Sequence, residues 1–233
     1  MLNQVEEDDE LLGAQEEGRP PKATGFLGSL CACLSVEYYR PFFDVNTDEV
    51  LLRLKYALIF CGGANGQSLF LDVVREKPDA YGPWWISTTL IFLMSVTAQV
   101  MGMLKHKESF DFQVVTAAAV TVYSYVGFLA VAVWLALNYW LKSPLSLLQC
   151  ACVVGYSLTV YLPATILCVF AILRNWPALL AAGILSSLFI AKALFPVVQE
   201  HDNKKIAIFG ASVLTVNAVF VFVVQHSVYA DSS

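Results

Sequence analysis

From position 83 to position 225 the sequence alternates long apolar runs with short polar segments. A helix of about 20 residues crosses a bilayer core of about 30 Å, and each run reaches that length. Tryptophan and tyrosine side chains lie at several run ends, where their amphipathic rings favour the headgroup layer. The pattern predicts five transmembrane helices: Pro83–Leu104, Val114–Tyr139, Leu145–Leu173, Pro177–Val198 and Ile206–Gln225. Because the connections are short, consecutive spans are antiparallel and the predicted fold is an all-α membrane bundle.

Residues 1–82 have a different pattern and divide into two parts. Residues 1–36 carry seven of the 19 acidic residues and are predicted to be a disordered acidic tail. Residues 37–82 are predicted to be an ordered, membrane-proximal segment. Residues 83–226 then form the five-helix domain, and residues 227–233 a short tail.

A short amphipathic helix is predicted over residues 48–60 of the membrane-proximal segment. Asn46 suits the N-cap position, and Glu49 three residues later completes an arrangement like a capping box. After these two residues, apolar side chains recur along the sequence at helical spacing. We expect this helix to lie on the bilayer surface, followed by a second short amphipathic stretch over residues 69–74.

Composition narrows the class of protein. Hydrophobic residues make up 58% of the chain and charged residues 14%, whereas soluble domains average about 45–50% and about 25%. The formal net charge of -5 argues against nucleic acid as a partner, since nucleic-acid binders carry basic clusters. The spans contain no paired carboxylates and no Ser/His/Asp set. We therefore expect a membrane protein that is not an enzyme and needs no cofactor.

The six cysteines are too dispersed for a disulfide framework. We interpret them as reduced, mostly packing residues: Cys31, Cys33, Cys61, Cys150, Cys152 and Cys168. Their spacing relative to the three histidines matches no zinc site, so no metal is predicted. Cys31 and Cys33 are either S-acylated near the membrane or unmodified small residues.

Polar and helix-bending residues inside the spans are few. Lys192 lies about six residues from the end of the fourth span, so its side chain can snorkel to the headgroups; the alternative is an ion or substrate site. Pro163 removes a backbone donor and is expected to kink the third span. Interhelical hydrogen bonds account for the uncharged polar residues Gln99, Asn138, Gln149 and Asn217.

The distribution of basic residues near the span ends predicts an orientation. One side of the bundle collects five of them: Arg75, Lys77, Lys142, Lys204 and Lys205. The other side has three: Lys105, Lys107 and Arg174. Because basic residues favour the cytosolic side, residues 1–82 are predicted to be cytosolic and the C-terminal tail lumenal.

Three patches of the sequence resemble the Yip-domain family, the five-span Ypt/Rab-interacting (YIPF) membrane proteins. The patches are Val36–Thr47, Pro78–Ile86 and Gly155–Pro163. The last two resemble the family signatures, Tyr-Gly-Pro-aromatic-Trp entering the first span and Gly-Tyr followed by Tyr-x-Pro in the third. The matching residues are Tyr81, Gly82, Pro83, Trp85, Gly155, Tyr156, Tyr161 and Pro163. The first patch looks closest to the Golgi-associated branch of the first and second YIPF members.

This resemblance implies a role in membrane traffic. It implies a multi-pass adaptor in Golgi or ER membranes that binds Rab-type small GTPases through its cytosolic part and other Yip-domain proteins through its bundle. The alternative class is a small-molecule transporter or channel, although five spans do not divide into equal halves. The signatures could also serve only helix entry and packing, because interfacial aromatic residues need no partner.

The segment Glu37–Thr47 is rich in aromatic residues, which commonly anchor interfaces. Together with the predicted amphipathic helix it is expected to carry the partner interaction. The candidate binding residues are Tyr38, Tyr39, Phe42, Phe43 and Asp44. The alternative is that these rings dock on the protein's own bundle or on lipid, which would explain the same composition.

Overall fold

Five long helices form the membrane bundle, as the apolar runs predict. The computed structural model of the chain describes residue 43 and residues 45–58, 65–104, 112–142, 145–170, 176–198 and 203–229. Within these residues, five helices are long and apolar enough to cross a membrane: Tyr81–Leu104, Gln113–Trp140, Leu147–Cys168, Trp176–Val198 and Asn203–Ser227. Each overlaps its predicted span along nearly its whole length. The five-span, all-α fold is therefore confirmed.

The described helices are numbered in chain order. They are α1 (Thr47–Leu58), α2 (Asn65–Glu76), α3 (Tyr81–Leu104), α4 (Gln113–Leu135), α5 (Leu147–Ser157), α6 (Tyr161–Phe170), α7 (Trp176–Val198) and α8 (Asn203–Ser227). A π-helical turn, Ala136–Trp140, extends α4, and a 3₁₀ turn, Leu158–Val160, joins α5 to α6. The first span, α3, packs against α4, α5 and α6, while α7 packs against α6 and α8.

The helices α1 and α2 pack into the bundle. α1 contacts α5 and the 3₁₀ turn of the third span, and α2 contacts α5 and α7. Phe70, Leu71 and Val74 of α2 are buried, and the Phe70 ring meets the rings of Tyr156 and Phe189 edge-on at 5.8 and 5.2 Å. The spans cover the inner face of α1, so that face does not contact lipid. The expected position of the helix at the bilayer surface stays a prediction.

The third span changes its helical pitch just before Pro163. The segment Leu158–Val160 is a 3₁₀ turn between two α-helices. Pro163 has no N–H to offer the carbonyl of Thr159, four residues earlier, so the α-helical ladder cannot run unbroken through this point. A tightened turn thus interrupts the α-helical pattern of the third span at the place where the sequence predicts a kink. The kink itself stays a prediction.

The second and third spans are tied together where the chain turns between them. The Nδ2 group of Asn138, in the π-helical turn, donates to the carbonyls of Trp134 and Leu145 at 3.0 Å each. Ser146 then caps α5: its hydroxyl accepts from the N–H of Gln149, whose side chain accepts in return from the N–H of Ser146. Asn138 therefore stabilises a turn. Gln149 caps α5 and also donates from its Nε2 to the Arg75 carbonyl of α2 at 3.3 Å, so the predicted interhelical hydrogen bonding is confirmed for Gln149.

A neutral polar cluster joins the second, third and fifth spans inside the bundle. Oδ1 of Asn217 accepts the hydroxyls of Tyr125 and Tyr161 at 2.8 and 3.1 Å, and its Nδ2 donates to the carbonyl of Val213. The Phe220 ring stacks on Tyr125 at 4.0 Å and meets Tyr161 edge-on at 5.3 Å. The predicted interhelical hydrogen bonding is confirmed for Asn217. We call these residues the asparagine cluster.

Candidate functional site at the start of the first span

Glycines bring the two signature motifs into direct contact. A Cβ atom at Gly82 of α3 would overlap the Tyr156 hydroxyl of α5. A Cβ atom at Gly155 would likewise overlap Pro83, including its backbone Cα at 2.7 Å. Each signature thus supplies a glycine that receives a bulkier residue of the other. Only glycine allows the two helices to approach this closely.

The carboxylate of Asp79 lies beside this contact. Its Oδ2 accepts the Tyr156 hydroxyl at 2.8 Å and the N–H of Gly82 at 3.3 Å. The second of these bonds is typical of a helix N-cap, where a negative charge is favourable. The thiol of Cys152 donates to the Asp79 carbonyl at 2.7 Å. Asp79 therefore joins the start of the first span to the third span.

Arg53 brings a positive charge from α1 to the same point. Its Nη1 lies 2.7 Å from Oδ1 of Asp79, and both side chains are only 1% exposed. Its Nη2 donates to the carbonyl of Lys77 at 2.7 Å. One helical turn earlier, Glu49 pairs with the Lys77 ammonium group at 3.3 Å in a much more exposed position. We call Arg53, Asp79, Gly82, Cys152 and Tyr156 the junction.

The junction connects the start of the first span to the interior of the third span. Cys152 and Tyr156 follow the start of α5 at Leu147 by five and nine residues, which is about 8–14 Å along a helix. Asp79 precedes the first residue of α3 by two positions. Buried charged groups are costly and are paired when they occur. Lys192, the ionisable residue that the sequence places inside a span, is exposed on α7.

The chemistry of the junction is that of a structural clamp. The Asp79 carboxylate already accepts two hydrogen bonds and an ion pair. The described cysteines of the spans, Cys150, Cys152 and Cys168, are buried and form no disulfide bond. The described residues contain no group of three His, Cys, Asp or Glu side chains that could hold a metal ion.

The structure places the remaining signature residues in two locations. Tyr161 lies in the asparagine cluster, and Pro163 follows the 3₁₀ turn. Tyr81 and Trp85 are 40% and 52% exposed, with ring centroids 6.0 Å apart. These two rings, with Trp84, form an exposed aromatic group at the start of the first span, where the sequence predicts an interfacial belt.

The predicted partner-binding residues fall almost entirely outside the described part of the chain. Tyr38, Tyr39, Phe42 and Asp44 lie outside the described residues. Phe43 is described, and its side chain is half exposed. Their role in binding stays a prediction.

Sequence reasoning missed the junction. Arg53 is a charged residue of the predicted amphipathic helix, but it is buried together with Ala57, four residues later. The available signal was its position: Arg53 lies at helical spacing between Val50 and Ala57, on the apolar side. An arginine on an apolar face requires a buried acidic partner.

Comparison with known proteins identifies the family. Residues 67–225 match the family model described as the Yip1 domain. "Protein YIPF1 homolog" of Dictyostelium discoideum is 32% identical over 203 residues, which cover 85% of this chain and 57% of that protein. "Protein YIP5" of Schizosaccharomyces pombe is 32% identical over 183 residues, which cover 72% of this chain and 71% of that protein. No solved structure matches the chain. The chain belongs to the Yip1-domain family.

Proposed function

We propose that this protein is a non-enzymatic membrane adaptor of the ER–Golgi system. Its N-terminal, membrane-proximal region binds Rab-type small GTPases, and its bundle assembles with other Yip-domain proteins during vesicle-mediated transport. Residues 1–82 face the cytosol, and the C-terminal tail faces the lumen. Membership of the Yip1-domain family supports this class of function.

The observation that carries the binding proposal is the two-sided character of α1. Its inner face packs on the third span through Arg53 and Ala57. Its outer face exposes Leu51, Leu52 and Leu58 by 42–55%. A helix with an apolar outer face can bind a partner there, and because its inner face contacts the spans, such binding can affect the bundle.

The binding test replaces Phe42 and Phe43 together with alanine in the full-length protein. We expect pull-downs to recover at least tenfold less GTPase, because aromatic anchors dominate interface energies. The matched control is the double substitution of Phe92 and Phe222, which are 61% and 58% exposed within the spans. Both proteins must stay monodisperse in detergent. Unchanged recovery by a well-folded Phe42/Phe43 variant would contradict the assignment.

The orientation is tested separately with tags on both termini. Protease added to sealed microsomes should remove the N-terminal tag and spare the C-terminal one, because the basic residues favour a cytosolic N-terminus. Detergent-opened microsomes, in which both tags are cut, are the control. Protection of the N-terminal tag would overturn the proposed topology.

A further inference from the structure

We propose that the Arg53–Asp79 ion pair is a latch that holds α1 on the bundle, and that a protein partner draws α1 off the bundle when it binds. The inference rests on the proposed function for the part of the chain that meets the partner. It adds a mechanism, in which binding outside the bundle breaks a charged contact inside it.

The first argument is the way α1 is attached. Among its described side chains only Arg53 and Ala57 are fully buried, while three leucines face outward. Two further polar contacts reinforce the attachment, from Arg53 to the Lys77 carbonyl and from Glu49 to the Lys77 ammonium group. The attachment of α1 combines these polar contacts with apolar contacts from Ala57 and from the half-buried Leu54 and Tyr56. The polar contacts can be exchanged for water or for a partner's polar groups.

The neighbouring helix α2 is held differently. It buries Phe70, Leu71 and Val74, and the Phe70 ring contacts aromatic rings on α5 and α7. Apolar burial of this kind has no equivalent replacement in water. When α1 leaves the bundle, α2 therefore stays in place as its anchor.

The second argument is that Asp79 remains satisfied without Arg53. The Tyr156 hydroxyl and the Gly82 N–H both donate to its Oδ2, and both donors belong to the spans. A carboxylate that keeps two donors at a helix N-terminus loses less when its cation departs than one left without donors. The contact between the signature glycines persists in either position of α1.

The third argument is that Arg53 is incompletely satisfied in its buried position. Its buried Nε finds no hydrogen-bond acceptor among the described residues. Release into water or onto a carboxylate supplies the missing acceptor, since a guanidinium offers five donors. The partner that fits a released α1 has an apolar groove for its leucines and an acidic side chain for Arg53.

Hydrogen exchange of the full chain in lipid nanodiscs tests the latch. Arg53→Met keeps the apolar stem of the side chain and removes its charge. We expect backbone exchange in α1 (Thr47–Leu58) to rise at least tenfold, with α2 and α5 unchanged. Lys77→Met is the matched control, because it removes only the exposed pair with Glu49 and should change exchange less than threefold.

Two outcomes of the exchange experiment would overturn the latch. Unchanged exchange in α1 would mean that the ion pair does not hold it. An equal rise in α1, α2 and α5 would mean that Arg53 braces the whole bundle and has no separate control over α1. Neither outcome depends on any partner, so the latch can fail while the proposed function stands.

A crosslink tests whether α1 must leave the bundle. A carbodiimide can join the Glu49 carboxylate to the Lys77 ammonium nitrogen as an amide, because the two groups lie 3.3 Å apart and are partly exposed. We expect protein carrying this crosslink, verified by peptide mass, to lose at least tenfold in partner recovery. Lys77→Met treated with the same reagent cannot form the bond and should retain binding. Full recovery by the crosslinked protein would overturn release while leaving the proposed function intact.

Discussion

Two of the buried polar sites in the described part of the bundle differ in charge and in what they connect. The asparagine cluster is neutral and joins α4, α6 and α8 through the side chain of Asn217. The junction is charged and joins α3 and α5 to α1, a helix too short to span the membrane. The neutral site connects spans to one another, whereas the charged site connects the spans to the N-terminal region.

The two sites differ in how much free energy is lost when one of their side chains is removed. Hydrogen bonds between neutral side chains in membrane bundles contribute modestly, with a measured average of about 0.6 kcal/mol. A buried ion pair contributes little net stability, but removing one partner costs about 3–5 kcal/mol. The junction therefore adds a charged pair to the apolar contacts that hold α1, whereas the asparagine cluster joins its spans through neutral hydrogen bonds.

The largest effect is expected from Asp79→Ala. This substitution leaves Arg53 without its anion and the Tyr156 hydroxyl without its acceptor. We expect the free energy of unfolding, measured by SDS titration in mixed micelles, to fall by about 3–5 kcal/mol. Asp72→Ala is the control, since Asp72 is exposed on α2. Equal losses in the two variants would show that the junction is not a special site.

A smaller effect is expected from Gly155→Ala, which tests the contact between the signatures. The added methyl group meets the Pro83 ring and backbone, so the helices must separate, at a cost of about 1–3 kcal/mol. In Gly210→Ala the same methyl group meets nothing within 4 Å. That control should be neutral or slightly stabilising, because alanine favours helix over glycine by about 1 kcal/mol. Identical stabilities for the two variants would contradict the close approach.

The asparagine cluster is tested by Asn217→Ala. The hydroxyls of Tyr125 and Tyr161 lose their acceptor, and we expect a loss of about 1–2 kcal/mol in the same titration. Removing both hydroxyls in the same protein, by Tyr125→Phe and Tyr161→Phe, should restore part of the loss, because no polar group is then left unpaired. A triple variant less stable than Asn217→Ala alone would show that the hydroxyls have other essential partners.

The sequence predicted the spans well because the length of an apolar run is a local property. All five spans, including the one interrupted before Pro163, could be read from consecutive residues. Asn217 could also be identified as an interhelical donor or acceptor, since an amide within an apolar span has few other uses.

The junction could not be predicted in the same way, because it depends on which helices meet. Arg53 and Asp79 lie on separate elements, and neither has a local pattern that names the other. The family resemblance pointed to Gly82 and Gly155, but it did not show that each receives a residue of the opposite signature. The inward packing of α1 was missed because three leucines and a lysine on its outer side suit a bilayer surface equally well.

The smallest effect is expected from Tyr161→Phe. This substitution tests how much stability the asparagine cluster loses when one of its two tyrosine hydroxyls is removed. Asn217 keeps the shorter bond from Tyr125, and the Tyr161 ring keeps its edge-on contact with Phe220. We expect a loss of about 0.6 kcal/mol in SDS titration, the average for a hydrogen bond between membrane helices. Tyr123→Phe on α4 removes a hydroxyl paired with half-buried Thr88 of α3, outside the asparagine cluster, and serves as the control. If Tyr161→Phe proved as damaging as Asp79→Ala, the neutral cluster would be as indispensable as the charged junction, and the contrast between them would fail.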